Sequence, residues 1–157
     1  MNITIRRAVS TDIPNIIRLL EYTCNFHAKG RPDIFKAGGK KYDSKALLAI
    51  LNDKLRVIFA AITEDSYLAG FCLCEWQAFS MPFINEHTSL YIDDICVDET
   101  YRRQGIGKKL FAAAVEFAKE SEVYAIDLNV WEFNESAIKF YESLGFTTRF
   151  RKMELIL

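Results

Sequence analysis

The sequence is poor in proline and histidine, has no C-x-x-C pair and no long apolar run, and each shortage removes a class of protein. Only three prolines occur in 157 residues, half of the side chains are hydrophobic and about a quarter are charged, a balance that excludes a disordered or fibrous chain. No stretch approaches the roughly 18 apolar residues of a membrane span, and the opening MNITIRRAVSTD has no apolar signal core. A cytoplasmic location without a membrane partner is therefore expected. Cys24, Cys72, Cys74 and Cys96 are scattered, and the two histidines complete no zinc set, so buried, reduced thiols and no metal are expected. The formal net charge of −1 supplies no basic field to hold nucleic acid. Any polyanion site must be local.

What is present reads as one domain over residues 1–157, a length that allows a substantial core. ITIRRAV predicts a strand, and STDIPNIIRLLEYT a helix with apolar positions at Ile13, Ile16, Ile17 and Leu20. HAKGRPDIFKAGGKKYD has no period and predicts a loop, after which Ser44 opens a second helix. LRVIFAAIT and YLAGFCLCEWQAF predict a hairpin, followed by SMPFINEHT as a loop and SLYIDDICV as a strand. The helix GKKLFAAAVEFAKE, the strand YAIDLNV and the helix ESAIKFYESL come next, and FTTRFRKMELIL ends the chain as one or two strands. Strand, crossover helix and strand join most readily in parallel, whereas the hairpin is antiparallel. The expectation is an α/β chain of the α+β type, with a mixed sheet and helices on both faces.

The stretch RRQGIG, Arg102 to Gly107, stands where a strand hands over to a helix. Such a turn presents unpaired N–H groups at the positive end of the helix dipole, which favours an anion. Gly105 and Gly107 allow close approach, and Arg102, Arg103, Lys108 and Lys109 add charge, a combination suited to pyrophosphate. A Walker A turn would need Gly where Arg102 stands and Ser or Thr where Lys109 stands. A Rossmann turn would need Gly or Ala at Leu110. An ordinary tight turn with solvated cations remains the plainer alternative on these six residues alone.

A second motif lies in NVWEFNESAIKFYESLGF, where Asn134 can cap a helix carrying Ala137, Phe140, Tyr141 and Leu144 at helical spacing, with Gly145 as its stop. Together the two motifs resemble those of the GNAT superfamily of acyl-CoA-dependent N-acetyltransferases. Its R/Q-x-x-G-x-G/A turn is matched by Arg102, Gly105 and Gly107, and its N-x-x-A-x-x-F-Y-x-x-x-G-F pattern by Asn134, Ala137, Phe140, Tyr141, Gly145 and Phe146. The resemblance implies a mostly antiparallel central sheet that splays at a parallel strand pair, with acetyl-CoA in the gap. It further implies that backbone groups of Ile95, Cys96 and Val97 meet the pantetheine arm, that amides of Arg103, Gln104, Gly105, Ile106, Gly107 and Lys108 hold the pyrophosphate, and that Asn134 stands near the pantetheine.

Acetyl transfer needs a neutral amine, a polarised carbonyl and a proton for the departing thiolate. The resemblance assigns the proton donor to Tyr141, whose phenol with an ordinary pKa near ~10 stays protonated at neutral pH. A Tyr on an apolar helix stripe is otherwise usually core. LYIDDICV is similar to the corresponding stretch of spermidine/spermine acetyltransferases, with Asp93 where those have Glu, so Asp93 is the candidate base or amine-binding carboxylate. Simple alternation sends Asp93 and Asp94 to opposite faces unless a bulge intervenes. Glu75, Glu86, Glu132, Trp76, Trp131, His27 and His87 are weaker candidates for contact with a cationic acceptor.

The expected activity is direct acetyl transfer from acetyl-CoA to a primary amine, with a small polyamine-like or other cationic amine preferred. The alternatives are protein N-terminal or lysine acetylation, and an acyl-CoA sensor without turnover. The partner is thus a small-molecule or peptide amine rather than nucleic acid. A homodimer is expected by analogy, with RFRKMELIL as a candidate edge strand.

Overall fold

The computed structural model describes residues 2–157. A single five-stranded sheet runs in the order β1 (Ile3–Arg7), β2 (Arg56–Thr63), β3 (Leu68–Met81), β4 (Ile84–Val97) and β5 (Ala125–Leu128). The first three pairings are antiparallel, and β4 with β5 is parallel, as expected of a crossover through a helix. Helices α1 (Ile13–Gly30) and α2 (Ser44–Leu51) cover one face, burying Ile16, Leu19, Leu20, Leu47 and Ile50 against Ile58, Phe71 and Leu73. Helix α3 (Ile106–Glu120) covers the other, with Ile106, Leu110, Ala114 and Ala118 recurring every fourth residue against Phe59, Cys72 and Cys74. Helix α4 (Glu135–Ser143) follows β5.

Local chemistry starts and stops these helices. Asp43 Oδ1 accepts from the Ala46 N–H at 2.7 Å to open α2, and Asn134 Oδ1 accepts from the Ala137 N–H at 3.2 Å to open α4. Buried Asp12 ties the entrance of α1 to β1 through a two-pronged ion pair with Arg6 at 2.7 and 3.0 Å. Gly145 leaves α4 in a left-handed conformation, φ 94°.

Two expectations are corrected. SMPFINEHT is not a loop: β3 and β4 continue through it as a long hairpin with only Pro82 and Phe83 between them. Phe79 lies opposite His87 and stacks on it at 5.0 Å, a cross-strand pair that carries the ladder past the sheet body. FTTRFRKMELIL forms no strand. Its alternation has no buried face to serve, since Phe150, Met153, Leu155, Ile156 and Leu157 are all exposed, and it is held by ion pairs of Arg149 with Asp127 and of Glu154 with Arg31.

Candidate active site

The parallel pair ends early. Ile92 opposite Leu128 is its last rung, while β4 continues to Val97 beside β3 alone. From Asp93 to Val97 the edge of β4 that faced β5 has no strand partner, because β5 ends at Leu128. Ile95, Cys96 and Val97 all lie in this partnerless stretch. Arg102 closes the far end of this edge: its Nε donates to the Val97 carbonyl at 3.0 Å, and its guanidinium stacks on Tyr22 at 5.0 Å. Arg102 therefore braces the turn, and its charge is partly spent inside the protein.

The turn itself winds through left-handed backbone at Arg103 (φ 63°) and Gly105 (φ 77°), and Gly105 caps α3 without any side-chain acceptor. Left-handed residues placed this way bend successive N–H groups into a concavity, and the first amides of α3 lack intrahelical acceptors. Arg103, Gln104, Gly105, Ile106, Gly107 and Lys108 make up this wall. The two glycines have different reasons. A Cβ at Gly105 would meet nothing within 4 Å, so glycine serves the left-handed angle there. A Cβ at Gly107 would stand 3.1 Å from Cζ of Phe140, so its bareness admits the ring from α4. The two sequence motifs thus meet at Gly107 and Phe140.

Tyr141, the next residue on α4, is half-buried and packs at 5.6 Å on Phe146. Burial raises its pKa, and Cys72, Asp94, Tyr91 and Cys96 lie close enough to raise it further. The phenol stays protonated at any physiological pH. Asn134 spends its Oδ1 on the cap and on Ser136, leaving its amide nitrogen available.

Asp93 and Asp94 do not part to opposite faces. Leu73 pairs with Asp94 and Cys74 with Ile92, so Asp93 is an extra residue, a bulge. One ammonium consequently reaches both acids: Lys41 Nζ lies 2.9 Å from Asp93 Oδ1 and 2.6 Å from Asp94 Oδ2. Tyr42 donates its hydroxyl to Asp93 Oδ2 at 2.8 Å. Burial raises the Asp94 pKa to about 6 although Lys41 pulls it down. For Lys41 the two carboxylates outweigh burial and raise the pKa. Lys41 and Tyr42 were invisible to sequence reasoning, since they belong to an aperiodic loop some fifty positions from the strand they touch.

The weaker candidates are mostly engaged elsewhere. Glu75 pairs with Arg56 at 3.3 Å, Glu86 accepts from Ser80, and Arg31 lies over Trp131 at 5.9 Å. His27 sits among Phe26, Phe35 and Phe133, with its pKa lowered by burial and by Lys41. Cys72 and Cys74 share one buried face with sulfurs 3.6 Å apart, both free thiols. No helix among the described residues is long and apolar enough to cross a membrane.

Known proteins resemble this chain in sequence and in overall fold. The L-ornithine N5-acetyltransferase of Arabidopsis thaliana is 42% identical over 82 residues, 52% of this chain and 35% of that protein. This match spans about a third of that relative's length. The [ribosomal protein bS18]-alanine N-acetyltransferase of Escherichia coli K12 is 26% identical over 143 residues, 91% of this chain and 80% of its own. A crystal structure of a Bacillus halodurans protein superposes with a TM-score of 0.95 at 30% identity, covering 98% of this chain and 99% of that one. The profile of the Acetyltransferase (GNAT) family matches residues 20–146, and this chain belongs to that family.

Proposed function

We propose that this protein transfers an acetyl group from acetyl-CoA directly to the primary amine of a small cationic acceptor. The observation that carries the reading is the meeting of three features: the amide turn at Arg103 to Lys108, the strand-free edge of β4 from Asp93 to Val97, and the protonated phenol of Tyr141 near Asp94. Bare backbone N–H groups at a helix N-terminus fit a pyrophosphate, and a strand edge without a partner fits the amide-bearing pantetheine arm. When bound, acetyl-CoA supplies the activated acetyl thioester.

The remaining work falls to side chains of this chain. Asp93 and Asp94 draw an ammonium to the gap. Asp94, with a pKa near 6, is the better base of the two, because its affinity for a proton lies nearer to that of an amine. Its Oδ1 takes part in none of the Lys41 or Tyr42 bonds. Asp93 then acts as the binding carboxylate, fixed by Tyr42. Tyr141 donates its proton to the leaving sulfur, and a backbone N–H of the Ile95 to Val97 stretch donates to the polarised oxygen.

A peptide amine is the second reading, supported by the 143-residue match to an enzyme named for acting on a ribosomal protein. The test is calorimetric titration with acetyl-CoA, followed by a mass-resolved screen of acetyl transfer to ornithine, polyamines, aminoglycosides, N-terminal peptides and lysine peptides. Acetylated small amines are expected. Acetyl-CoA binding without product on any amine would overturn the catalytic reading.

A further inference from the structure

The loop joining α1 to α2 returns over the end of β4 and places a cation of its own in the acidic pair. Lys41 Nζ reaches Asp93 Oδ1, Asp94 Oδ2 and, at 3.3 Å, the Asp93 backbone carbonyl. Its side chain is 35% exposed while the two carboxylates are 16% and 9% exposed, so the ammonium enters from the solvent side and plugs a recess. Tyr42, the next residue, holds the remaining oxygen of Asp93. Three of the four carboxylate oxygens are thereby engaged by the loop, and Asp94 Oδ1 is left.

We propose that Lys41 determines acceptor specificity by occupying, as a built-in primary ammonium, the place that a second ammonium of the acceptor would take. The inference rests on the acetyltransferase reading above. Lys41 is chemically the same group as the end of an alkylamine, and its seat shows what the bulged pair binds. With Lys41 in place the cluster carries two acids and one cation, a net charge that one further ammonium neutralises. The single free oxygen accepts one N–H of an incoming amine. An acceptor with one ammonium at its reacting end, and neutral or anionic atoms beyond it, is matched in charge and in hydrogen-bond count. A polyamine brings a second cation toward Lys41 and meets like-charge repulsion in a recess partly shielded from water. The acceptor class is thus a monoammonium amine, and acceptors with a second ammonium are turned away by a loop residue rather than by the strand acids.

The test uses 1-aminopentane and 1,5-diaminopentane, alike in length and reacting end, as ligands of the CoA-loaded protein by calorimetry and as acceptors of acetyl groups. The intact protein should favour the monoamine. Lys41→Met, close in shape and without charge, should shift the ratio of the two affinities, and of the two kcat/KM values, about tenfold toward the diamine. Lys41→Arg should retain the original ratio. Lys41→Met with Asp93→Asn removes one charge of each sign and should return the ratio to within about threefold of the original. A circular dichroism spectrum and a CoA titration check that each variant is folded. If the ratio in Lys41→Met stays within twofold of the intact protein, the specificity role is wrong while the acetyltransferase reading survives. If neither amine binds to or is acetylated by the intact protein, the monoammonium acceptor class is wrong, and the wider screen of amines and peptides decides the acetyltransferase reading separately.

Discussion

Gly70 makes the packing of β4 beside its free edge testable. It lies opposite Val97 in the β3–β4 ladder, and a Cβ built there stands 2.8 Å from the Cys96 carbonyl oxygen, 3.3 Å from Val97 Cα and 3.3 Å from Leu110 Cδ1. Nonbonded heavy atoms settle near roughly 3.5 Å or beyond, and two of these neighbours are backbone that cannot swing aside. Gly70→Ala must therefore push β4 away from β3. Overpacking costs about 1–3 kcal/mol, and replacing glycine returns about 0.5–1 kcal/mol of unfolded-state entropy, which leaves a net loss of about 0–2.5 kcal/mol. For a domain of this size that corresponds to a fall in Tm of up to about 10 °C. The displaced Cys96 carbonyl points toward β3, but it is bonded directly to Val97, whose own carbonyl lies on the free edge, so acetyl-CoA affinity should fall in the same variant. Gly105→Ala is the control: it meets no atom within 4 Å but holds φ 77°, so its cost of about 1–2 kcal/mol comes from the angle alone. Gly70→Val should thus be much worse than Gly70→Ala, and Gly105→Asn should be milder than Gly105→Ala. Thermal unfolding by circular dichroism and CoA calorimetry read both. A Gly70→Ala protein as stable as the parent, with Gly70→Val no worse, would refute the steric argument.

Three further outcomes are expected. Tyr141→Phe should keep acetyl-CoA affinity within a few-fold and lower turnover by roughly 10²-fold, checked by single-turnover kinetics; near-normal chemistry would remove Tyr141 from the acid role. Asp94 has a folded pKa of about 6 against an ordinary 3.8, so the native state binds the extra proton between those values. Stability should therefore fall as pH rises through that window, by at most about 3 kcal/mol. Asp98, held down to about 2, and Asp12, also lowered, act in the opposite sense and below that window, so Asp94→Asn should flatten the pH 4–6 limb alone. Cys72 and Cys74, fully buried, should react with a thiol reagent only at the rate of opening, and a fast native-state reaction would contradict their burial.

Where a residue's partners lie nearby in the chain, the sequence was readable. The four α-helices followed from apolar spacing and caps such as Asn134, and the order of strands from runs of β-branched residues. The hairpin tip is hidden in the sequence because MPFINEH has the composition of a loop, and only the cross-strand pairing of Phe79 with His87 extends the ladder through it. The tail differs from its sequence pattern for the converse reason. RFRKMELIL alternates well, but alternation makes a strand only where an edge and a buried face receive it, and here all the large apolar side chains of that segment stay exposed.

The site divides along the same line, with one instructive exception. The turn and Tyr141 belong to short motifs and can be picked out by spacing, whereas the approach of Phe140 to Gly107 is a contact between motifs that neither spacing reveals. The acids show how far one inserted residue can redirect an argument. Period-two reading separates Asp93 from Asp94, which makes them rivals for a single role. The bulge at Asp93 puts both beside one ammonium in different surroundings: Asp93 is pinned by Tyr42 and Lys41, while Asp94, more deeply buried, keeps a free oxygen and a pKa near 6. A carboxylate fully engaged by donors is a poor base, and one that is buried and only half engaged is a better one. The assignment of the proton acceptor therefore turns on backbone register, and Asp93→Asn should impair acceptor binding more than proton transfer, with Asp94→Asn doing the reverse. Equal kcat losses with unchanged acceptor KM in both variants would return the two acids to a single shared role.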